Sequence, residues 1–213
     1  MRTLEHLSFS HFIKHPKWFI GYSDITVFHS AINNLGIETI HAPMPFSFGK
    51  PDFDIETFNE LIFLLQGSTL KYCFKGHPLN SQGKAKGRLV GGNLSVLYSL
   101  RGTHYDLQPH GKILFIEDID EYLYHIDRMI INFRLGGIFG HLRAIIVGDM
   151  TDMKDNNTPY GKNAYEIVAE HAKEVGIPTC FGFPSGHGKI NKPLILGREV
   201  IIDVSQNCIL TFK

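Results

Sequence analysis

The chain is 213 residues long, enough for one large domain or two small ones with a sizeable core. Apolar residues make up 43% and charged residues 20%, and 21 Lys and Arg balance 21 Asp and Glu, which excludes a bulk field aimed at nucleic acid or an anionic membrane. Twelve histidines lie without the paired spacing of a metal motif, and Cys73, Cys180 and Cys208 show no zinc spacing, so no metal or cofactor is expected and a reducing cytoplasm is the expected home.

Residues 1–16, with Leu4, Leu7, Phe9 and Phe12 as apolar members, lack the apolar core of a signal peptide. No run anywhere approaches the length of a bilayer span. Residues 17–22 read as a buried strand. Residues 24–35 read as a helix with Ile25, Phe28, Ala31, Ile32 and Leu35 on one face, stopped by Gly36. A second short strand at 37–40 completes a strand–helix–strand unit expected to be parallel and right-handed. Asp54 caps a helix to residue 66 with Phe58, Leu61, Ile62 and Leu65 inward. Residues 68–87, rich in Gly, Pro, Asn and Ser, read as a linker containing a little strand, which divides the chain into domains 1–67 and 88–213.

The second half opens with a strand at 88–90, a turn at Gly91-Gly92-Asn93 and a helix at 94–100. A strand at 112–117 ends in an acidic cluster. A helix at 124–135, a strand at 142–148, a helix at 164–175 and a strand at 178–181 follow, and 194–212 reads as a hairpin or meander. Strands alternating with helices predict an α/β fold: a partial parallel-sheet N-terminal domain linked to a second, mixed α/β domain.

Three residues stand where such a fold does chemistry, just after predicted strands. Ser23, in Gly21-Tyr22-Ser23-Asp24, opens a helix; a serine there is either a simple N-cap or a nucleophile facing free backbone N–H groups. Glu117, closing the run Leu114-Phe115-Ile116, can orient a histidine or serve as a base, or it and Asp118 merely solvate a strand end. His187, between Gly186 and Gly188, is a loop imidazole with room for substrate or an ordinary surface residue.

Gly-Tyr-Ser-Asp-Ile-Thr at 21–26, Gly-Gly-Asn-Leu-Ser at 91–95, Leu-Phe-Ile-Glu-Asp-Ile at 114–119 with Tyr-His-Ile-Asp-Arg-Met at 124–129, and Phe-Pro-Ser-Gly-His-Gly at 183–188 occur in that order. Together they resemble the LD-carboxypeptidases, the serine peptidases that include muramoyltetrapeptide carboxypeptidase and the microcin C self-immunity peptidases. The resemblance implies that Ser23 is the nucleophile, His187 its general base, Glu117 the orienter of His187, and the Asp24 N–H an oxyanion-hole donor. It implies as substrate the murein tetrapeptide that loses its terminal D-alanine; a homodimer is the expected assembly. Arg101, Arg128 and Lys189 are candidates for holding the substrate carboxylate, although Arg128 can equally pair with Asp127 or Asp120.

The family's chains begin with a further half-domain ending in a loop like Arg-Gly-Gly-Tyr-Gly, and the present sequence starts just after that loop. A second oxyanion donor is expected from it, and losing one donor costs on the order of 100- to 1000-fold in rate. The expectation is that Met1 is an internal start or a misplaced gene boundary, or that the chain completes its sheet by domain swapping or tight dimerisation.

Overall fold

The computed structural model describes every residue except Asp52. In chain order the elements are α1 (Ser10–Lys14), β1 (Ile20–Gly21), α2 (Thr26–Asn34), β2 (Thr39–His41), α3 (Ile55–Leu65), β3 (Lys71–Lys75), β4 (Gly83–Asn93), α4 (Leu94–Ser99), β5 (Ile113–Ile119), α5 (Leu123–Leu135), α6 (Ile138–His141), β6 (Ala144–Thr151), α7 (Ala164–Val175), β7 (Thr179–Phe181), β8 (Leu194–Leu196), β9 (Glu199–Val204) and β10 (Asn207–Phe212). They form a three-stranded sheet, β1-β2-β8, and a seven-stranded sheet, β3-β10-β9-β4-β5-β6-β7. The fold is mixed α/β.

β5 shows why the apolar run at 113–116 folds as it does. Ile113 and Phe115 point into the core between the two sheets, with Ile40, Phe183 and Ile195. Leu114 and Ile116 point the other way, onto Ile126, Phe133, Ile167 and Val168 of α5 and α7. A parallel strand covered on both faces needs an unbroken apolar run, and β4, β5, β6 and β7 pair in parallel. α7 matches its predicted span because Asn163 and Glu166 close a reciprocal capping box and Gly176, at φ 70°, ends the helix.

The predicted parallel unit is present, with Ile20 opposite Ile40 and Gly21 opposite His41. Three expectations change. Gly91 and Gly92 are not a turn but the end of β4, which runs 11 residues, from Gly83 to Asn93. They are glycine because neighbouring groups press on the strand: a Cβ on Gly91 would lie 1.8 Å from the Phe115 carbonyl oxygen, and one on Gly92 2.5 Å from Thr26 Oγ1. The stretch at 68–87 supplies β3 and the start of β4 to the large sheet. And the tail is only partly a hairpin, since β9 and β10 pair antiparallel whereas β8 leaves them to pair antiparallel with β2. β8 thereby closes one side of the small sheet with apolar Leu194, Ile195 and Leu196, all in the core.

The predicted helix faces hold in part: Ala31, Ile32 and Leu61 are buried as expected, but the faces end differently. In α2 the buried residues are Thr26, Val27, His29, Ser30, Ala31 and Ile32, so the predicted Ala31 and Ile32 are inward, whereas Leu35 is exposed. In α3 they are Thr57, Leu61 and Leu64, with Leu65 exposed. Thr57 turns inward because the Asp54 carboxylate accepts from both its backbone N–H (2.9 Å) and its hydroxyl (2.6 Å).

Candidate active site

The first turn after β1 carries Ser23 in the left-handed region, φ 61°, where non-glycine residues are strained. Residues Ser23–Ile25 form a 3-10 turn that runs into α2. Among the described residues no hydrogen bond engages the Ser23 hydroxyl, so it caps nothing, and the Asp24 N–H likewise meets no protein acceptor. The strand end behind it is pinned. The Gly21 carbonyl accepts from the Ala42 N–H (3.1 Å) and from His29 Nε2 (2.9 Å), while His29 Nδ1 accepts from the Thr39 hydroxyl (2.9 Å). Burial lowers the His29 pKa to about 4, partly offset by its bond to Gly21, so the ring is neutral with its proton on Nε2.

Glu117 is completely buried near the end of β5, and its Oε2 accepts from His187 Nδ1 at 2.7 Å. That bond leaves His187 Nε2 for a second proton partner. Burial opposes charge on His187, but the hydrogen bond to Glu117 and the fields of Glu117, Asp118 and Asp149 outweigh it and raise the pKa above the ordinary 6.5. The ring of Tyr22, the residue before Ser23, lies 4.8 Å from the His187 ring between centroids. The structure therefore joins His187 to Glu117 directly and brings the Ser23 turn alongside through Tyr22. No hydrogen bond joins the Ser23 hydroxyl to His187.

Asp118 does not solvate a strand end. It is buried, accepts from the Asn93 side chain (2.9 Å) and the Ser95 N–H (2.9 Å), and burial raises its pKa to about 6 against those bonds. Asn93 in turn donates its backbone N–H to Thr26 Oγ1 (3.0 Å). A continuous chain thus runs from the helix behind Ser23 to the residue beside Glu117.

A cleft of about 400 Å³ opens beside His187, with Tyr22, Lys50, Phe53, Lys189 and Asn191 in its walls. Lys189 stands there, and so does Lys50, whose local sequence carries no signal of a site. Arg101 is committed elsewhere: it holds Asp106 through two bonds (2.8 and 2.7 Å) and faces the Phe133 ring. Arg128 lies over the Tyr124 ring, not on the carboxylates proposed for it, since Asp120 pairs with Lys154 and Asp127 accepts from His171. Among the described residues no group of three or more His, Cys, Asp or Glu is placed to hold a metal ion. No helix of the described residues is long and apolar enough to cross a membrane.

Comparison with known proteins fits this arrangement. The LD-carboxypeptidase N-terminal domain matches residues 1–42 and the LD-carboxypeptidase C-terminal domain matches residues 86–202. A probable murein peptide carboxypeptidase of Bacillus subtilis is 35% identical over 204 residues, covering 94% of this chain and 64% of its own length. The microcin C7 self-immunity protein MccF of Escherichia coli is 27% identical over 234 residues, covering 94% of this chain and 67% of its own. The muramoyltetrapeptide carboxypeptidase of Oxalobacter formigenes superposes with a TM-score of 0.91 at 27% identity, over 99% of this chain and 73% of that one. The chain thus spans less than two thirds of the Bacillus relative. It belongs to the LD-carboxypeptidase family.

Proposed function

We propose that the chain is a serine-type carboxypeptidase that hydrolyses the L,D-peptide bond of a murein tetrapeptide and releases D-alanine. The observation that carries this reading is the 2.7 Å bond between His187 Nδ1 and Glu117, with the strained Ser23 turn alongside. His187 Nε2 takes the Ser23 proton as the hydroxyl attacks the amide carbonyl, and the carbonyl π electrons move onto its oxygen. The Asp24 N–H, at the amino end of the turn, donates to that oxyanion. When the tetrahedral species collapses, His187 returns the proton to the departing D-alanine amine, and water activated by the same ring hydrolyses the acyl-Ser23 ester. Glu117 fixes the tautomer and stabilises the imidazolium. Lys50 and Lys189 in the cleft wall are the cations available to the substrate carboxylate. Cytoplasmic recycling of cell-wall peptides by a homodimer is the setting this chemistry suits.

Phe53 in the same wall favours one alternative, cleavage of a peptidyl-nucleotide antibiotic whose base would stack on an aromatic ring. Incubation with the murein tetrapeptide and with an aspartyl sulfamoyl adenosine separates the two. D-alanine release that Ser23→Ala abolishes is the expected result. Cleavage of the nucleotide alone would establish the alternative, and binding of tetrapeptide without turnover by either protein would make the chain a peptide-binding module.

A further inference from the structure

Beyond the three residues assigned above, a second carboxylate is built into the His187 loop. Asp149 closes the same rank of strand ends as Glu117, on neighbouring β6. Its backbone N–H donates to the Ser185 carbonyl (3.0 Å) and its Oδ2 accepts from the Gly188 N–H (3.2 Å), so it holds the loop on both sides of His187. The chain passes between the two acids: a Cβ on Gly186 would lie 3.0 Å from Glu117 Oε2 and 3.2 Å from Asp149 Cβ, and one on Gly188 would lie 2.4 Å from Asp149 Oδ2. Asn191 completes the clamp by accepting from the Ser185 hydroxyl (2.9 Å) and the Gly186 N–H (3.2 Å). A loop closed this tightly presents one ring orientation.

We propose that Asp149 is a positioning residue of the peptidase reaction, one that fixes the His187 loop through Gly188 and, as a second carboxylate, supports the imidazolium formed when His187 takes the Ser23 proton. The inference rests on the role assigned to His187, and its test can be read without turnover. The charged and titratable groups around the ring are Glu117 and Asp118 from β5, Asp149 from β6, His41 from β2, Tyr22 from the Ser23 turn and Lys189 from the loop itself. Of the three carboxylates, Glu117 is bonded to the ring and Asp118 to Asn93 and Ser95, which leaves Asp149 as the acid whose bond is to the loop backbone. Burial pushes the Asp149 pKa up to about 6, against the Gly188 bond, so at neutral pH it is ionised and its negative charge acts on His187.

Asp149→Asn keeps an acceptor for the Gly188 N–H and removes the charge; Asp149→Ala removes both. His187 is titrated in each protein by the NMR shift of its Cε1–H, assigned with His187→Gln, and kcat/KM is followed against pH where peptide turns over. Asp149→Asn is expected to lower the His187 midpoint by roughly one unit and to move the rising limb of kcat/KM to lower pH by the same amount. Asp149→Ala is expected to lose roughly 10-fold or more in kcat with little change in KM, and Asp149→Asn to recover most of that loss. A His187 midpoint unmoved in Asp149→Asn, or equal kcat losses in the two variants, would overturn the proposal. If no protein turns over peptide, the midpoint still decides the charge role, and the failure is then of the assigned reaction and not of Asp149.

Discussion

Thr26 Oγ1 accepts a hydrogen bond from the backbone N–H of Asn93 at 3.0 Å, and this contact ties the helix behind Ser23 to the strand bordering Glu117. Both partners are buried. Thr26→Val conserves shape but leaves the Asn93 N–H without its acceptor, which costs about 1–3 kcal/mol. Urea denaturation should show that loss, whereas Thr26→Ser should lose less because its hydroxyl can still accept. The gap between Val and Ser variants is the signature of the bond, as distinct from packing.

Ser23 holds a left-handed backbone without a hydrogen bond from its side chain. Strain of this kind is relieved by glycine and not by alanine. Ser23→Gly should therefore be more stable than Ser23→Ala by about 0.5–1 kcal/mol, with both devoid of peptidase activity. Equal melting of the two variants would show that the turn stores no strain.

The pH dependence of stability should carry the mark of His29. Its folded pKa, about 4, lies below the unfolded 6.5, so the stability it contributes is present above the unfolded value and is lost as the pH falls from 6.5 toward 4. His29→Gln keeps a donor for the Gly21 carbonyl and an acceptor for Thr39 but cannot titrate. At about pH 7.5 the variant should be less stable than the wild type by about 1–2 kcal/mol, from imperfect packing and hydrogen bonding. Between about pH 6.5 and 4.5 the wild type should lose about 2–3 kcal/mol relative to it. Thermal melts of both proteins across that range measure the difference; a constant gap would mean that His29 does not titrate on unfolding.

Much of this was legible in the sequence where one physical rule dominated. β5 follows from an unbroken apolar run and the end of α7 from Gly176. Glu117 and His187, read as standing after predicted strands, are joined by a hydrogen bond, and Gly148-Asp149 stands at the end of a predicted strand in the same way. The end of β4 was misread because glycine signals a turn locally, whereas here it makes room for Thr26 and the Phe115 carbonyl, groups distant in sequence. β8 was misassigned for a related reason: three residues have no period of their own, and only pairing with β2 decides which sheet they join. His29 gave no signal beyond a place on a helix, since its value lies in reaching the Gly21 carbonyl across a fold not yet formed.

We propose that Ser23 is a nucleophile activated by His187 and Glu117. A fluorophosphonate reports on that directly, because the activated serine oxygen displaces fluoride from phosphorus and keeps a covalent adduct. Peptide mapping after labelling should place the adduct on Ser23 in the wild type, show none in Ser23→Ala or His187→Ala, and show labelling slowed on the order of 100-fold or more in Glu117→Gln. An adduct on another serine, or labelling of Ser23 at an undiminished rate without His187, would contradict it.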